Sequence, residues 1–266
     1  MKYFLTLFTL VIFTTHLSAQ DSLAQSKWVD YFSYWSGFEV EKCDDNIYCA
    51  CENAIYYYNK TTSSINRLSK VNGLSDVGIT TIKAKENDDL LIVGYETGNI
   101  DLIRKNSITN IDGLLAKQIN TNKKINDITC FDDKAFMATD FGVVVLDLKR
   151  NEFEDTYILG LQGEYIGVNK IIYNSDNSTI YLATKRGIYY AKYGKANLSD
   201  PRNWSMINEF GTLDYDEIAY FDGGLYVNYS KYTKTFKVID SLYVYRNGQK
   251  SLFKKQYYQI NGLKVM

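Results

Sequence analysis

Catalysis needs side chains that move protons, attack carbon or hold metal, and this sequence is poor in them. Its one histidine, His16, falls in the first 20 residues. Beyond that point there is none, which removes Ser-His-Asp and Cys-His nucleophilic chemistry, histidine-ligated zinc and a histidine proton shuttle. Four cysteines remain: Cys43, Cys49, Cys51 and Cys130. Cys49 and Cys51 lie two apart on one face of an expected strand and cannot bridge each other. A short turn at Asp44-Asp45-Asn46 would set Cys43 opposite Ile47, not Cys49, and Cys130 stands two repeats further on. Buried free thiols are expected, and Cys-x-Cys alone offers too few ligands for a metal.

The carboxylates recur in pairs: Asp44/Asp45, Asp88/Asp89 and Asp132/Asp133. Calcium takes about six to eight oxygens, whereas Asp and Asn are favoured in hairpin turns for local hydrogen bonds and left-handed backbone; turn chemistry is the expectation. Asp140-Phe141-Gly142 spells the magnesium triplet of kinases without a catalytic loop before it. Gly160-Leu161-Gln162-Gly163 lacks the Gly-Lys-Ser ending of a phosphate loop. Glu52, Glu96, Asp101 and Asp140 lie near expected turns and are the carboxylates that could form a glycosidase pair, but no two have distinguishing surroundings. Tyrosine is abundant, with 24 residues. Tyr56-Tyr57-Tyr58, Tyr189-Tyr190, Tyr243/Tyr245 and Tyr257-Tyr258 alternate across strand faces, which suits packing between sheets with the hydroxyl at solvent; a sugar- or protein-binding platform is the functional alternative. No catalytic, cofactor-binding or metal-ligating residue is assigned, and no enzyme activity is expected.

The elements that would position these side chains are strands. Short runs rich in Ile, Val, Tyr and Phe are separated by Asp, Asn and Gly. Five runs align: Ile47–Cys51, Leu91–Tyr95, Ala135–Thr139, Ile180–Thr184 and Leu225–Tyr229, at spacings of 44, 44, 45 and 45 residues. Their fourth positions are Ala50, Gly94, Ala138, Ala183 and Asn228. A polar turn precedes each run, and Gly98, Gly142 and Gly187 mark the next turn. A linker phrase closes each unit: Asn72-Gly73-Leu74, Asp112-Gly113-Leu114, Leu159-Gly160-Leu161, Gly211-Thr212-Leu213 and Asn261-Gly262-Leu263. A period of this length holds four short strands with their turns, one blade of a β-propeller. The small fourth residue fits where inner strands crowd the axis. The expected fold is all-β, with blades near 38–74, 79–114, 125–161, 168–213 and 215–259. The last linker phrase leads into a further blade at 260–266, so an incomplete, truncated propeller is expected.

Composition bounds the context. The 266 residues are 45% hydrophobic and 23% charged, ordinary for a globular chain. The formal charge is −1, or −2 without Lys2, which offers no basic excess for nucleic acid. Residues 1–20 read as a secretory signal: Lys2, an apolar run from Phe4 to Phe13, and small residues at Leu17-Ser18-Ala19-Gln20. The apolar run is short of the roughly 20 residues that span a bilayer. The remaining 21–266 is expected to be one exported propeller domain, at the periplasm or outer-membrane surface, without a transmembrane segment.

Several phrases also carry a resemblance. Trp28-Val29-Asp30-Tyr31-Phe32-Ser33-Tyr34 is followed by Asn46–Ile55, then Val71-Asn72-Gly73-Leu74-Ser75-Asp76, then Leu90–Ile103 with Gly94-Tyr95-Glu96-Thr97-Gly98-Asn99-Ile100-Asp101. Together these resemble the PorZ-like N-terminal β-propeller family of the Bacteroidetes type IX secretion system, most strongly over 28–104. The blade phrase alone is similar to the wider two-component-regulator propellers. The resemblance implies a non-catalytic envelope component of a cargo-attachment complex, with a sortase, outer-membrane proteins and anionic lipopolysaccharide as partners. Its family members continue into a second propeller and a sorting domain. No family ligand residue maps onto a motif here. The alternatives are a sensor ectodomain of a hybrid two-component receptor and a propeller glycosidase or lyase.

Overall fold

The computed structural model describes residues 31–85, 88–105, 107–232, 238–256 and 262–263. The leader at 1–20, Trp28-Val29-Asp30, Tyr257-Tyr258 and most of 260–266 lie outside these residues.

Twenty strands form five antiparallel four-stranded sheets, each a meander in chain order. Blade 1 holds β1 (Glu39–Cys43), β2 (Asn46–Cys51), β3 (Ala54–Asn59) and β4 (Ser64–Ser69). Blade 2 holds β5 (Ile79–Lys85), β6 (Leu90–Tyr95), β7 (Ile100–Arg104) and β8 (Ser107–Ile111). Blade 3 holds β9 (Ile125–Phe131), β10 (Lys134–Thr139), β11 (Gly142–Asp147) and β12 (Glu152–Tyr157). Blade 4 holds β13 (Val168–Asn174), β14 (Thr179–Thr184), β15 (Gly187–Lys192) and β16 (Ser205–Met206). Blade 5 holds β17 (Glu217–Phe221), β18 (Gly224–Tyr232), β19 (Val238–Arg246) and β20 (Gln249–Gln256). The chain is an all-β propeller with five blades among the described residues, in which no sheet closes on itself.

The turns obey local chemistry. Asp44, Asp89, Asp132, Ser178 and Asp222 all take positive φ in the first hairpin of their blades, as left-handed Asp and short polar residues do in tight turns. The aspartate pairs are therefore turn residues. Gly142 opens β11 at φ 147°, where a Cβ would collide with the Tyr157 carbonyl. The first hairpin of blade 1 is one residue tighter than expected: Cys43 pairs with Asn46 and Lys42 with Ile47. No disulfide joins the four cysteines; Cys43, Cys49 and Cys51 are buried and Cys130 is half-buried.

The cores lie between blades, not within them. Each of four apolar clusters draws on two successive blades, for example Ala50 and Ile55 with Ile82, Val93 and Tyr95, or Phe136 and Ala138 with Ile171 and Leu182. The aligned small residues Ala50, Ala138 and Ala183 are fully buried, and a Cβ on Gly94 would press on Ile125 of the next blade. The linker phrases are less uniform than their sequences. Leu74 and Leu114 are buried, but Leu161 and Leu213 are exposed; Leu159 and Phe210 are the buried residues of those linkers. Blade 1 turns Phe38, Val40 and Ile65 to solvent, and blade 5 turns Phe221 and Phe253.

Replacing Ala138 with Leu should overpack the interface of blades 3 and 4 and lower stability by about 1–3 kcal/mol. Urea unfolding followed by tryptophan fluorescence measures it, and an unchanged midpoint would show that the small residue is not a packing requirement.

Candidate functional site

The first strands of all five blades surround a central channel of about 1120 Å3. Each is the edge strand of its sheet, so one row of its backbone N–H and C=O groups has no ladder partner. Side chains from the preceding blade supply the partners. Thr80 Oγ1 donates to the Ile125 carbonyl at 2.5 Å, Asn126 Nδ2 to the Val168 carbonyl at 2.9 Å, and Asn169 Nδ2 to the Tyr215 carbonyl at 2.9 Å. Ladder register slips at these three residues. Each slip is a β-bulge that pairs an extra residue, whose side chain crosses to the next blade, with the channel-lining residue after it.

The second residue of each pair stands opposite the small residue of the neighbouring strand. The register sets Glu39 opposite Ala50, Thr81 opposite Gly94, Asp127 opposite Ala138, Lys170 opposite Ala183 and Glu217 opposite Asn228. These five residues ring the channel. Glu39 Oε2 accepts from the Ile82 amide at 2.8 Å and from Thr81 Oγ1 at 3.0 Å. Asp127 accepts from the Ile171 amide at 3.0 Å and pairs with Lys170 Nζ at 2.9 Å. Lys170 Nζ also lies 3.9 Å from Glu217. Below this ring, Glu41 pairs with Lys83 at 3.1 Å.

Among the described residues five carboxylates and two ammonium groups line the channel, a balance of −3: Glu39, Glu41, Asp127, Asp216 and Glu217 against Lys83 and Lys170. Burial pushes the Glu39 carboxyl above its ordinary value, against the lowering from the Ile82 amide and Lys170. Burial likewise raises Glu217, opposed by Lys170 and by the Leu263 amide that bonds it. Asp216 is raised by burial too. Burial disfavours the charged form of Lys170, but Asp127 and Glu217 more than offset it and hold its ammonium above the usual range.

The carboxylates singled out in the sequence are separated, and Asp101 and Asp140 are engaged by structural partners. Asp101 is fully buried and accepts from Tyr95 Oη at 2.7 Å, the Ser75 amide at 2.8 Å and Asn110 Nδ2 at 3.1 Å; it ties the linker after blade 1 to blade 2. Asp140 pairs with Lys185 at 3.0 Å and accepts from Asn126 at 3.1 Å, while Phe141 beside it is buried. Glu52 and Glu96 are exposed at hairpin turns. Gly160–Gly163 is a turn closed by a 3.0 Å hydrogen bond from the Gly163 amide to the Gly160 carbonyl. Among the described residues no three His, Cys, Asp or Glu side chains are placed to hold a metal ion. Burial pushes the Cys130 thiol up to about 12, which opposes nucleophilic use. The tyrosines mostly pack between or within blades: Tyr48 on Tyr57, Tyr181 on Tyr190 and Tyr220, and Tyr173 stacked on Phe131 at 4.0 Å. The channel ring was missed in the sequence; the residues opposite the small fourth position would have found it.

A family model described as the N-terminal beta-propeller domain of PorZ, of the type IX secretion system, matches residues 47–205. The chain belongs to the PorZ N-terminal β-propeller family. PorZ of Porphyromonas gingivalis, described as an essential bacterial surface component of that system, superposes with a TM-score of 0.65 at 18% identity, over 81% of this chain and 28% of PorZ. The extracellular domain of a B. thetaiotaomicron hybrid two component system superposes at 0.59 with 15% identity, over 84% of this chain and 28% of that one. The tricorn protease does so at 0.60 with 11% identity, over 81% and 26%. Such likenesses establish the fold, and one fold hosts unrelated functions. No curated protein matches the sequence. This PorZ-type propeller thus spans little more than a quarter of the length of the chains it superposes on. Among the described residues no helix is long and apolar enough to cross a membrane.

Two measurements check the ring. Asp127→Ala should cost about 1–3 kcal/mol, because it removes the nearer of the two carboxylates at the Lys170 ammonium and the acceptor of the Ile171 amide; a loss near zero would mean that solvent replaces it. Glu39 sets a pH dependence. A carboxyl held above its unfolded value of 4.5 keeps its proton longer in the folded chain, so stability falls as pH rises from that value through the folded one. Glu39→Gln should flatten this fall, read as a difference from wild type in urea midpoints between pH 4 and 7; parallel profiles would refute it.

Proposed function

We propose that the chain is a non-catalytic scaffold or binding module of type IX secretion, exported by the leader at 1–20 with 21–266 as the propeller domain. It works at the periplasm or outer-membrane surface, in the cargo-attachment complex, with sortase and outer-membrane proteins and anionic lipopolysaccharide as partners. Membership of the PorZ propeller family carries this reading. The engagement of Asp101 and Asp140 by structural partners, with Glu52 and Glu96 exposed at separate hairpin turns, supports a non-catalytic role. The acidic channel also bears on the lipopolysaccharide: a polyanion is repelled there, so it is engaged on another surface.

The fold likeness to the two-component ectodomain supports a second reading, a sensor domain whose polypeptide continues into a membrane span and a kinase. Affinity purification of the tagged product of the complete gene from its native envelope separates the two. Recovery with a sortase or lipopolysaccharide is expected. Recovery with neither, or a kinase domain on the same polypeptide, would overturn the secretion role, and turnover of a polysaccharide by the purified protein would overturn the non-catalytic one.

A further inference from the structure

Blade 5 departs from the repeat at its perimeter. Strands β18 and β19 have nine residues each, against five or six in the corresponding strands of blades 1 to 4. The outer strands β4, β8 and β12 set half-buried residues between exposed ones. In β20, the outer strand of blade 5, every residue from Ser251 to Lys255 is exposed. Two of them are apolar, Leu252 at 56% and Phe253 at 59%. Phe253 is the extra residue of a bulge, since Lys254 stands opposite Leu242 and Leu252 opposite Tyr243. Leu252 thus shares a face with Tyr243, which packs on blade 4, but the outer strand of blade 4, β16, has only two residues and leaves Leu252 uncovered.

The same strands are basic. β18, β19 and β20 carry Lys231, Arg246, Lys250, Lys254 and Lys255 against Asp240 alone, a balance of +4 in a chain whose formal charge is −1. Asp240 is buried. Arg246 pairs with Asp222 at 3.5 Å. Lys250 Nζ lies over the rings of Phe210 and Tyr243, 5.0 and 4.7 Å from their centroids. Lys231, Lys254 and Lys255 are exposed and have no ion pair among the described residues. Ammonium groups gathered without a counter-charge raise the local potential and favour an anionic partner.

Edge lysines and a bulge are devices by which a sheet edge resists pairing with another strand, so β20 is not built to receive one. Lysines alone would suit any polyanion. The apolar pair between Lys250 and Lys254 adds a second requirement: the partner must be charged at its surface and apolar just beneath. A bilayer with anionic headgroups meets both. We propose that the outer edge of blade 5 docks on such a bilayer, with Leu252 and Phe253 at the boundary of the acyl chains and Lys254 and Lys255 at the headgroup phosphates. The contact is with the lipid surface itself and requires none of the protein partners proposed above.

Co-sedimentation with phosphatidylcholine vesicles, with and without phosphatidylglycerol, tests this. The apolar run Phe4–Phe13 seeks membrane by itself, so the 266-residue chain is compared with the form lacking residues 1–20, whose urea midpoint shows that it is folded. The leaderless form should bind vesicles that contain phosphatidylglycerol and not the neutral ones, and binding should fall as salt rises. Lys254→Glu together with Lys255→Glu should weaken binding at least about tenfold. Leu252→Ser together with Phe253→Ser should weaken it severalfold at unchanged charge. The same change of charge at Lys117 and Lys195, both exposed outside blade 5, should leave it near wild type. Binding lost with the leader would overturn the proposal, as would equal binding to neutral vesicles or wild-type binding by both blade 5 double variants. Binding of soluble polyglutamate without any binding of vesicles would also overturn it, and would assign the edge to an acidic polypeptide.

Discussion

Five sheet edges facing one axis create the constraint on which the rest of the structure depends. A blade pairs its outer strands with one another, but its first strand has a neighbour on one side only. Brought together around an axis, these strands expose backbone N–H and C=O groups that water reaches poorly. The chain answers with side chains that cross from blade to blade. A hydroxyl or carboxamide takes the carbonyl of the next inner strand, and at Glu39 and Asp127 a carboxylate takes its amide. In blades 2, 3 and 4 a β-bulge makes this possible, because without it successive side chains would point to opposite faces.

Two kinds of glue follow from this geometry. Away from the axis, apolar clusters shared by successive blades remove Ile, Leu and Val from water. Near the axis the side chains are polar, because the edge groups demand it. The carboxylates used as backbone acceptors leave the channel acidic, and Lys170 offsets part of that charge. The acidity is thus a product of how blades are joined.

The blades were legible because their cause is local. Alternation, turn residues and a period of 44 to 45 positions are properties of neighbouring residues, and each blade repeats them. The small fourth residue could also be read, since packing at the axis repeats with the blade. The channel was not legible. Glu39, Thr81, Asp127, Lys170 and Glu217 share no single residue type, and the bulges beside Thr81, Asp127 and Lys170 shift those three by one. Asp101 failed as a catalytic candidate for a related reason. Its place near a turn resembled an exposed carboxylate, yet the tertiary fold brings Tyr95, Ser75 and Asn110 onto it and closes it from solvent.

The sequence by itself determined the class of fold, the length of its unit, the hairpin turns and the scarcity of catalytic side chains, because each depends on residue type and spacing within one unit. Only the tertiary structure decided which carboxylates are spent on joining blades and which line the channel. That outcome depends on contacts between residues some 40 to 46 positions apart, as between Asn126 and Val168 or Asn169 and Tyr215. No local pattern encodes such pairs. They exist once strand edges from separate blades are held against a common axis, where an unsatisfied backbone group is too costly to leave and a side chain from the adjoining blade is the nearest partner.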